Sequence, residues 1–539
     1  MDCAGPIDLA QDPVKSDSYR AIMDSHEGLM GMVLAQAVRS PVYKGRLPKS
    51  TSLGSLSEVP LTSYDMMAGF FDSLGVDDVL LAAPVQTFRT SGSTGTPKSF
   101  YYGQNDIDRI AKEYLKVARI VGVRPEHRMW NLGGRLPDVS GYILEEVGRR
   151  IPLRGMISTF LMDDKDLIRA LRRISSEERI DIMASGALVF YLLGRMSQDP
   201  QFLRGIVENK VRSSFHLPRP LAISIAKLYL HGVDMGKLRE IAEHALIAFS
   251  YAEALHPYMK ELRKAFPNLA IHDVYGSTEN PLMAVQLDRT MDGLSMFLGS
   301  IIPEIADPQD VRRAKDDPSQ RVKGVLWADW KAGMQGELII SRPGECLPLV
   351  RYPTGDVIEV VDPFHRIDFR ADGKDGHMFL PLIRLLGRSV ETLDFETKDE
   401  SGNFLGIKVY SRHVNEMLHR SSNVRWWEIY NIRETPARLV VVVIPEARPA
   451  DCKRFKAEVL RRLTEERADI PQSFQIAHDL GGLDIIVLPP EAYASIQVEI
   501  DRRLAEGRSM GQLKPKHIYL MQNRSEYEKV IKARYSKWL

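Results

Sequence analysis

Six consecutive residues, Thr90-Ser-Gly-Ser-Thr-Gly95, carry four hydroxyls and two glycines, and Lys98 follows three positions later. Glycines let a backbone approach an anion and turn its N–H groups toward it. Hydroxyls add donors, and the lysine adds charge. The chemistry open to Thr90, Ser91, Gly92, Ser93, Thr94, Gly95 and Lys98 is therefore a grip on phosphate; an ordinary surface loop is the alternative. The spacing differs from the G-x-x-x-x-G-K-S/T of P-loops, which excludes that cradle. Three further patches combine glycine with a carboxylate, a hydroxyl or a guanidinium: His272-Asp-Val-Tyr-Gly-Ser-Thr-Glu-Asn280, Arg351-Tyr-Pro-Thr-Gly-Asp356 and Leu386-Gly-Arg388. Read alone, the first is a turn after a strand, the second a hairpin turn whose Gly-Asp is conformational, and the third carries almost no information. The 13 histidines form no recognisable motif, and no Ser/His/Asp triad is assigned.

Elements must hold these patches. An apolar run, Val79 to Ala83, precedes the hydroxyl-rich loop. A helix pattern follows it, with Ile107, Ile110, Ala111, Tyr114, Leu115 and Ala118 at helical spacing, Asn105 as N-cap and Asp108 three residues on. Residues 1 to about 75 read as helices and loops: Tyr19, Ile22, Met23, Leu29, Met30, Met32, Val33 and Leu34 form one apolar face, and Leu61-Thr-Ser-Tyr-Asp65 starts a helix. Strand-turn-helix patterns recur at Met129 to Gly141, with a helix from about Ser140, and at Arg179 to Ala187; further strands are expected within Ala245 to Glu253 and at Ala270 to Val274. Such alternation predicts a mostly parallel sheet, with ligands outside the carboxyl ends of its strands. Residues 305–325, charged and Pro-containing, read as a solvated loop. Strands at 336–341, 347–352 and 356–361, split by Gly and Pro, read as antiparallel. From about 389 the chain restarts as a small α+β unit, with strands at 406–410, 424–430 and 439–444 and helices at Val414 to Leu418 and Phe455 to Leu463.

The chain has 539 residues, 44% hydrophobic and 27% charged, ordinary for a globular protein. With 72 basic against 71 acidic residues, net charge +1, no nucleic-acid partner is expected. Cys3, Cys346 and Cys452 are far apart, so neither a disulfide framework nor a zinc site is expected. Neither a signal segment nor an apolar membrane span is read, and the expected location is the cytoplasm.

Four patches in this order resemble the adenylate-forming superfamily of acyl- and aryl-CoA ligases, luciferases and peptide-synthetase adenylation domains. The resemblance covers positions 89 to 388. The run Arg89-Thr-Ser-Gly-Ser-Thr-Gly95, the turn Ala252-Glu253-Ala254 and Tyr275-Gly-Ser-Thr-Glu279 are most similar to the phenylacetate-CoA ligase-like branch. The fold implied is α/β: a large N-terminal adenylation domain over 1–388, with mostly parallel sheets plus antiparallel strands and a helical lead-in over 1–75, then a small mobile α+β domain over 389–539. The resemblance implies that Tyr275 stacks on the adenine beside Gly276 and Ser277, that Thr278 donates to the α-phosphate, and that Glu279 binds Mg2+. It further implies that Asp356 takes the ribose hydroxyls, that Arg388 contacts the nucleotide at the domain junction, and that Glu253 belongs to the nucleotide site. A lysine near the C-terminus, Lys529 with Lys532 as the fallback, would bridge the carboxylate and the α-phosphate before the small domain rotates it away. The implied ligands are ATP/AMP, Mg2+ and coenzyme A. The implied partners are a small-molecule carboxylic acid and coenzyme A or another acyl acceptor, with no membrane partner and a homodimer allowed. Pocket walls are expected among Leu132 to Pro137, Ala184 to Gly186, Tyr251 and Ala252, and Pro281 to Met283, a mixture suited to an apolar or aromatic acid. Trp426 and Trp427 could stack on a coenzyme A adenine, with core packing as the alternative. Three features depart from the family pattern. Val390 and Glu391 stand where an Asp or Lys hinge is usual, cysteines near the junction are absent, and Glu528-Lys529-Val-Ile-Lys532 only approximates the terminal lysine motif. The acceptor is therefore left open between a thiol, an amine, a carrier protein and a cofactor hydroxyl that receives AMP; a catalytically silent nucleotide-binding relative is the further alternative.

Overall fold

The computed structural model describes residues 13–47, 52–90, 97–159, 164–177, 179–215, 218–251, 255, 259–317, 320–371, 373–389, 393–398, 404–419, 423–432, 438–465, 473–479, 481–498 and 517–539. The chain forms two compact units: the first takes 1–354, 359–384 and 507–514, the second 355–358, 385–506 and 515–539. Gly355–Ile358 and Leu385–Arg388, with the sequence-predicted Asp356 and Arg388, thus fall in the second unit.

The lead-in is helical: α1 (Pro13–Ala37), α2 (Tyr64–Leu74) and α3 (Val76–Val79). Ser63 caps α2 by accepting from Met66 N–H, so the expected helix start is where the sequence put it. A hairpin of β1 (Gln86–Arg89) and β2 (Ser99–Tyr102) leads into α4 (Gln104–Ile120). Next come β3 (Arg128–Asn131), α5 (Val139–Arg150), β4 (Gly155–Ser158), α6 (Asp164–Ile174), β5 (Ile182–Gly186) and α7 (Ala187–Gln198). Helices α8 (Pro200–Phe215), α9 (Arg219–Tyr229) and α10 (Met235–His244) intervene before β6 (Ile247–Tyr251), α11 (Met259–Ala265) and β7 (Ala270–Tyr275). The pattern then changes: β8 (Ala284–Val285), β9 (Leu294–Met296), β10 (Ile302–Ala306), α12 (Pro308–Asp316), β11 (Val325–Leu326), β12 (Gln335–Arg342), β13 (Leu349–Ala371) and β14 (Lys374–Arg388). Among the described residues one sheet has the order β11-β10-β12-β13-β14-β9-β8-β7-β6-β5-β3-β4. Its β4-β3-β5-β6-β7 part is parallel, and antiparallel pairs continue it at β7-β8-β9, β9-β14 and β10-β12. The predicted fold class, parallel strands alternating with helices and then antiparallel ones, is the one observed. On one face Met129, Ile182, Ala184, Ile247, Phe249 and Val274 pack against Val117 of α4 and Leu144 of α5.

The second unit contributes β15 (Leu393–Lys398), β16 (Phe404–Val409), α13 (Ser411–His419), β17 (Val424–Ile432), β18 (Arg438–Pro445), α14 (Cys452–Thr464), α15 (Ser473–Asp479), β19 (Leu483–Val487), β20 (Ile518–Met521) and a terminal helix, Arg524–Tyr535. Its main sheet runs β19-β18-β17-β20. Residues alternate across it: Leu439, Val441 and Val443 pack with α13 and α14, whereas Val440, Val442 and Ile444 pack with Ile531 and Tyr535 of the terminal helix. Covering on both faces accounts for the unbroken apolar run of β18. The α+β unit expected after 389 is present.

Three local expectations differ from the structure. The stretch read as a solvated loop contains α12: Asp307 caps it through Gln309 N–H, Pro308 opens it, and Val311 and Ala314 are buried. The cap of α4 is Gly103, not Asn105; the Asp106 carboxylate takes the Gly103 N–H, and Asn105 N–H goes instead to Glu345. The patch ending at Asp356 is neither a hairpin turn nor a strand start, because β13 runs through it. Gly355, at φ 80°, bends the backbone in a region open to glycine while the ladder continues. Among the described residues no helix is long and apolar enough to cross a membrane.

A buried histidine ties α1 to this sheet. Trp327 Nε1–H donates to His26 Nδ1 at 2.7 Å, and His26 Nε2 lies 2.7 Å from the Leu298 carbonyl. An indole nitrogen only donates, so Nδ1 accepts and the ring is neutral. Burial pushes the His26 pKa down to about 4. With the folded value depressed below the ordinary 6.5, the unfolded chain binds more protons between these limits. The contribution is complete above about pH 6.5 and fades as pH falls toward 4, a loss of roughly 3 kcal/mol at 1.36 kcal/mol per unit. Urea midpoints measured from pH 7 to 4 should fall less steeply in His26→Gln than in the parent; parallel curves would show that this ring does not set the slope.

Candidate nucleotide site

In the first unit the hydroxyl-rich loop hangs from the β1–β2 hairpin. Thr90 N–H donates to the Lys98 carbonyl and Lys98 N–H to Thr90 Oγ1, both at 2.9 Å. Thr90 therefore closes the neck of the loop. Arg89 N–H donates to the Pro137 carbonyl at 2.9 Å, fastening the neck to the turn after β3. Lys98 Nζ lies 5.5 Å over the Tyr64 ring, whose hydroxyl accepts from Ser99 N–H at 2.8 Å. Ser91, Gly92, Ser93, Thr94 and Gly95 lie outside the described residues, as do Glu253 and the rest of its turn, and Val390.

The turn after β7 is clasped from three sides. A Cβ on Gly276 would lie 1.9 Å from the Pro281 carbonyl oxygen, so only glycine fits. Ser277 N–H donates to the Asn280 carbonyl at 3.0 Å. From β2, the Tyr102 hydroxyl donates to the Thr278 carbonyl at 2.7 Å; from the end of β12, Arg342 Nε–H donates to the Glu279 carbonyl at 2.7 Å; from α4, the Tyr114 hydroxyl donates to the Pro281 carbonyl at 3.0 Å. The Arg342 guanidinium also lies 4.9 Å over the Tyr102 ring. Burial raises the Tyr102 pKa, Arg342 opposes this, and Asp106 and Glu279 add to it; the hydroxyl remains a donor. Glu279 is 6% exposed, Thr278 is half-buried and Tyr275 is buried at the strand end. The β2 contact brings the strand leaving the hydroxyl-rich loop against Thr278.

Tyr102 and Arg342 were not singled out from the sequence, and Tyr114 was read only as part of an apolar helix face. The legible signal was Arg342 itself, a lone guanidinium closing the apolar run Leu338-Ile-Ile-Ser341, where a charge needs partners.

Nearby, Asn131 fixes the glycine-rich turn: its Nδ2 donates to the Gly141 carbonyl at 3.0 Å and its Oδ1 accepts from Gly133 N–H at 2.9 Å. Asp138 caps α5 through Ser140 N–H at 2.7 Å. Burial raises the pKa of the Tyr251 hydroxyl, which lies near Asp138 and Ser140 at the carboxyl end of β6. Among the described residues no group of three or more His, Cys, Asp or Glu side chains could hold a metal ion. One carboxylate together with phosphate oxygens is a common arrangement for Mg2+, and Glu279, on a backbone held by Arg342, fits that arrangement.

In the second unit Asp356 Oδ1 pairs with Arg388 Nε at 2.9 Å, joining two residues the sequence singled out separately. Val357, Leu386 and Tyr410 form a small apolar core beside them. Lys529 and Lys532 are exposed on the terminal helix, whose Asn523 cap accepts from Glu526 N–H at 3.0 Å. Trp427 is fully buried, with Nε1–H on Asn415 Oδ1 at 2.7 Å, and Trp426 is 8% exposed. Both are packed in the core, which is the alternative the sequence left for them.

The sequence matches no protein-family model and no curated protein. Its fold matches solved structures along nearly the whole chain. A 2-hydroxyisobutyryl-CoA ligase in the postadenylation state with R3-HIB-AMP has a TM-score of 0.60 at 13% identity, covering 97% of this chain and 93% of that one. The GH3.15 acyl acid amido synthetase has a TM-score of 0.61 at 14% identity, covering 97% and 96%. An open form of the same CoA ligase, with 2-HIB-AMP and CoA, has a TM-score of 0.53 at 13% identity, covering 93% and 90%. The chain therefore has the fold of adenylate-forming ligases. At these identities the likeness is one of fold.

Proposed function

We propose that this chain is an adenylate-forming ligase that activates a carboxylic acid with ATP. A carboxylate oxygen attacks the α-phosphorus, the bond to the pyrophosphate oxygen breaks, and acyl-AMP and pyrophosphate result. The acyl carbon is then taken by the thiol of coenzyme A: the C–S bond forms, the C–O bond to AMP breaks, and the thiol proton is lost to solvent. The observation that carries this reading is the clasp of Tyr102 and Arg342 on the Thr278–Glu279 backbone, Tyr102 closing the strand that leaves the hydroxyl-rich loop. In this reading the loop residues Ser91 to Gly95 and Lys98 hold phosphate, and Thr278 donates to the α-phosphate. Phosphoryl transfer depends on placement and charge neutralisation more than on covalent help. Mg2+ held by Glu279 would neutralise phosphate charge. Tyr275, Gly276 and Ser277 take the adenine side, Asp356 the ribose, and Arg388 and Glu253 make further contacts with the nucleotide.

The equally extensive fold likeness to the GH3.15 acyl acid amido synthetase favours a second reading, in which an amine takes the acyl group. Pyrophosphate release screened over aryl and aliphatic acids, followed by mass spectrometry with coenzyme A or amino acids as acceptor, separates the two. Absence of acid-dependent pyrophosphate release across the panel overturns both.

The ribose assignment has its own test. Asp356→Ala should weaken ATP binding by roughly 1.5–3 kcal/mol, the range for hydrogen bonds to a charged group. Arg388 loses its ion-pair partner in the same variant, so Arg388→Ala is measured beside it. Unchanged ATP affinity by calorimetry in a folded Asp356→Ala protein removes the ribose role.

A further inference from the structure

Glu428, fully buried on β17, has no part in the reaction as described so far. Alternation along the strand puts Trp426, Glu428, Tyr430 and Ile432 on the face covered by the terminal helix. A carboxylate on that face is costly unless its lone pairs are all engaged. They are: Oε1 accepts from Trp426 Nε1–H at 3.1 Å and forms an ion pair with Arg534 Nη2 at 2.7 Å, and Oε2 accepts from the hydroxyls of Tyr430 at 2.7 Å and Tyr535 at 2.9 Å. Two of these four partners, Arg534 and Tyr535, belong to the terminal helix.

An apolar residue at 428 would bury the helix equally well. Apolar contact is non-directional and tolerates sliding and rotation. Charge-assisted hydrogen bonds are short and directional, and buried polar groups are best attested as devices that fix register. A slip of one residue would move the helix about 1.5 Å along its axis and about 100° around it. Arg534 and Tyr535 would then leave Glu428, and Lys529 would point elsewhere. The aromatic packing around the carboxylate narrows the choice further: Tyr430 stacks on Tyr519 at 5.0 Å and meets Tyr527 edge-on at 5.4 Å.

We propose that Glu428 is a positioning residue for the adenylation step: through Arg534 and Tyr535 it sets the rotation and height of the terminal helix and so the direction in which its lysine reaches. The inference rests on the reading that Lys529, or Lys532, serves adenylation.

Three readouts test it in the full chain. The first is hydrogen exchange of the amides at 527–535 without ligand. The second is pyrophosphate release with whichever of benzoate, phenylacetate, 2-hydroxyisobutyrate and octanoate is turned over fastest. The third is acyl transfer from the chemically prepared adenylate of that acid. Glu428→Gln should speed exchange in the helix and lower the adenylation kcat about 10-fold to 100-fold, the cost of a misplacement of about 1 Å. KM for ATP and the transfer rate should stay within about twofold. Tyr535→Phe, which deletes one hydroxyl, should show the same pattern to a smaller degree and serves if Glu428→Gln does not fold. Glu428→Gln combined with Lys529→Ala should be no slower than Lys529→Ala alone. Unchanged exchange, or equal losses in both half-reactions, overturns the positioning role. If the lysine variants lose adenylation and Glu428→Gln keeps it, this inference alone fails. If Lys529→Ala and Lys532→Ala both keep adenylation, the lysine reading fails and takes the inference with it.

Discussion

Lys529→Ala is expected to abolish acyl-adenylate formation while sparing acyl transfer from a supplied acyl-adenylate. The side chain is exposed on a helix that Asn523 caps and Ile531 and Tyr535 bury. Its backbone is therefore held and its ammonium is free to reach. A lysine suits contact with charge that develops between carboxylate and α-phosphate, because it is a compact charge on a flexible stem. Loss of one such preorganised group costs roughly 10²–10³ in kcat. Transfer begins after pyrophosphate has left and does not need the same charge, so the two half-reactions should separate. Lys532→Ala, three residues on, decides which lysine is used. Intact acid-dependent pyrophosphate release in both variants would make this a solvated helix face.

The two units differ in how much of them the sequence discloses. Alternation and helical spacing are local, so β3, β5 and β7 and the run of β18 could be read directly. The helix α12 was hidden by its charge: Val311 and Ala314 are its only apolar anchors besides Pro308, too few to raise a periodic signal. The available clue was Asp307-Pro308, a cap followed by a proline at the first helical position. The patch ending at Asp356 misled for the opposite reason. Pro353 and Gly355 advertise a turn, yet the ladder runs through them from Leu349 to Ala371, since pairing with neighbouring strands decides where a strand ends. The site itself was half legible. Its turns carry glycine, hydroxyl and carboxylate together, and those stand out. The clasp does not: Tyr102 and Thr278 are 176 positions apart, and Arg342 and Glu279 are 63 apart. Glu428 was equally silent, because one acid inside a strand looks solvated until its four partners, two of them more than a hundred residues further along, are seen.

Glu279→Gln is expected to lower adenylation by about 10²-fold, equivalent to about 3 kcal/mol of transition-state stabilisation, while AMP affinity changes less than about threefold. The substitution keeps shape and removes charge. Arg342 holds the Glu279 carbonyl rather than its carboxylate, so the clasp on the turn survives and the backbone N–H groups stay in place. The neutral amide is a poorer ligand for a hard cation. The loss should therefore fall where phosphate charge is greatest, in the step that expels pyrophosphate, and should be smallest for AMP, which lacks the β- and γ-phosphates. Raising magnesium should recover part of the rate in Glu279→Gln if weaker ion binding is the cause, and recover none if the carboxylate serves only to shape the turn. Arg342→Met separates that last case, because it keeps Glu279 and releases the carbonyl it holds. The decisive observation is near-normal adenylation by Glu279→Gln at ordinary magnesium, which would leave Glu279 as a structural acid and place any metal-binding carboxylate elsewhere.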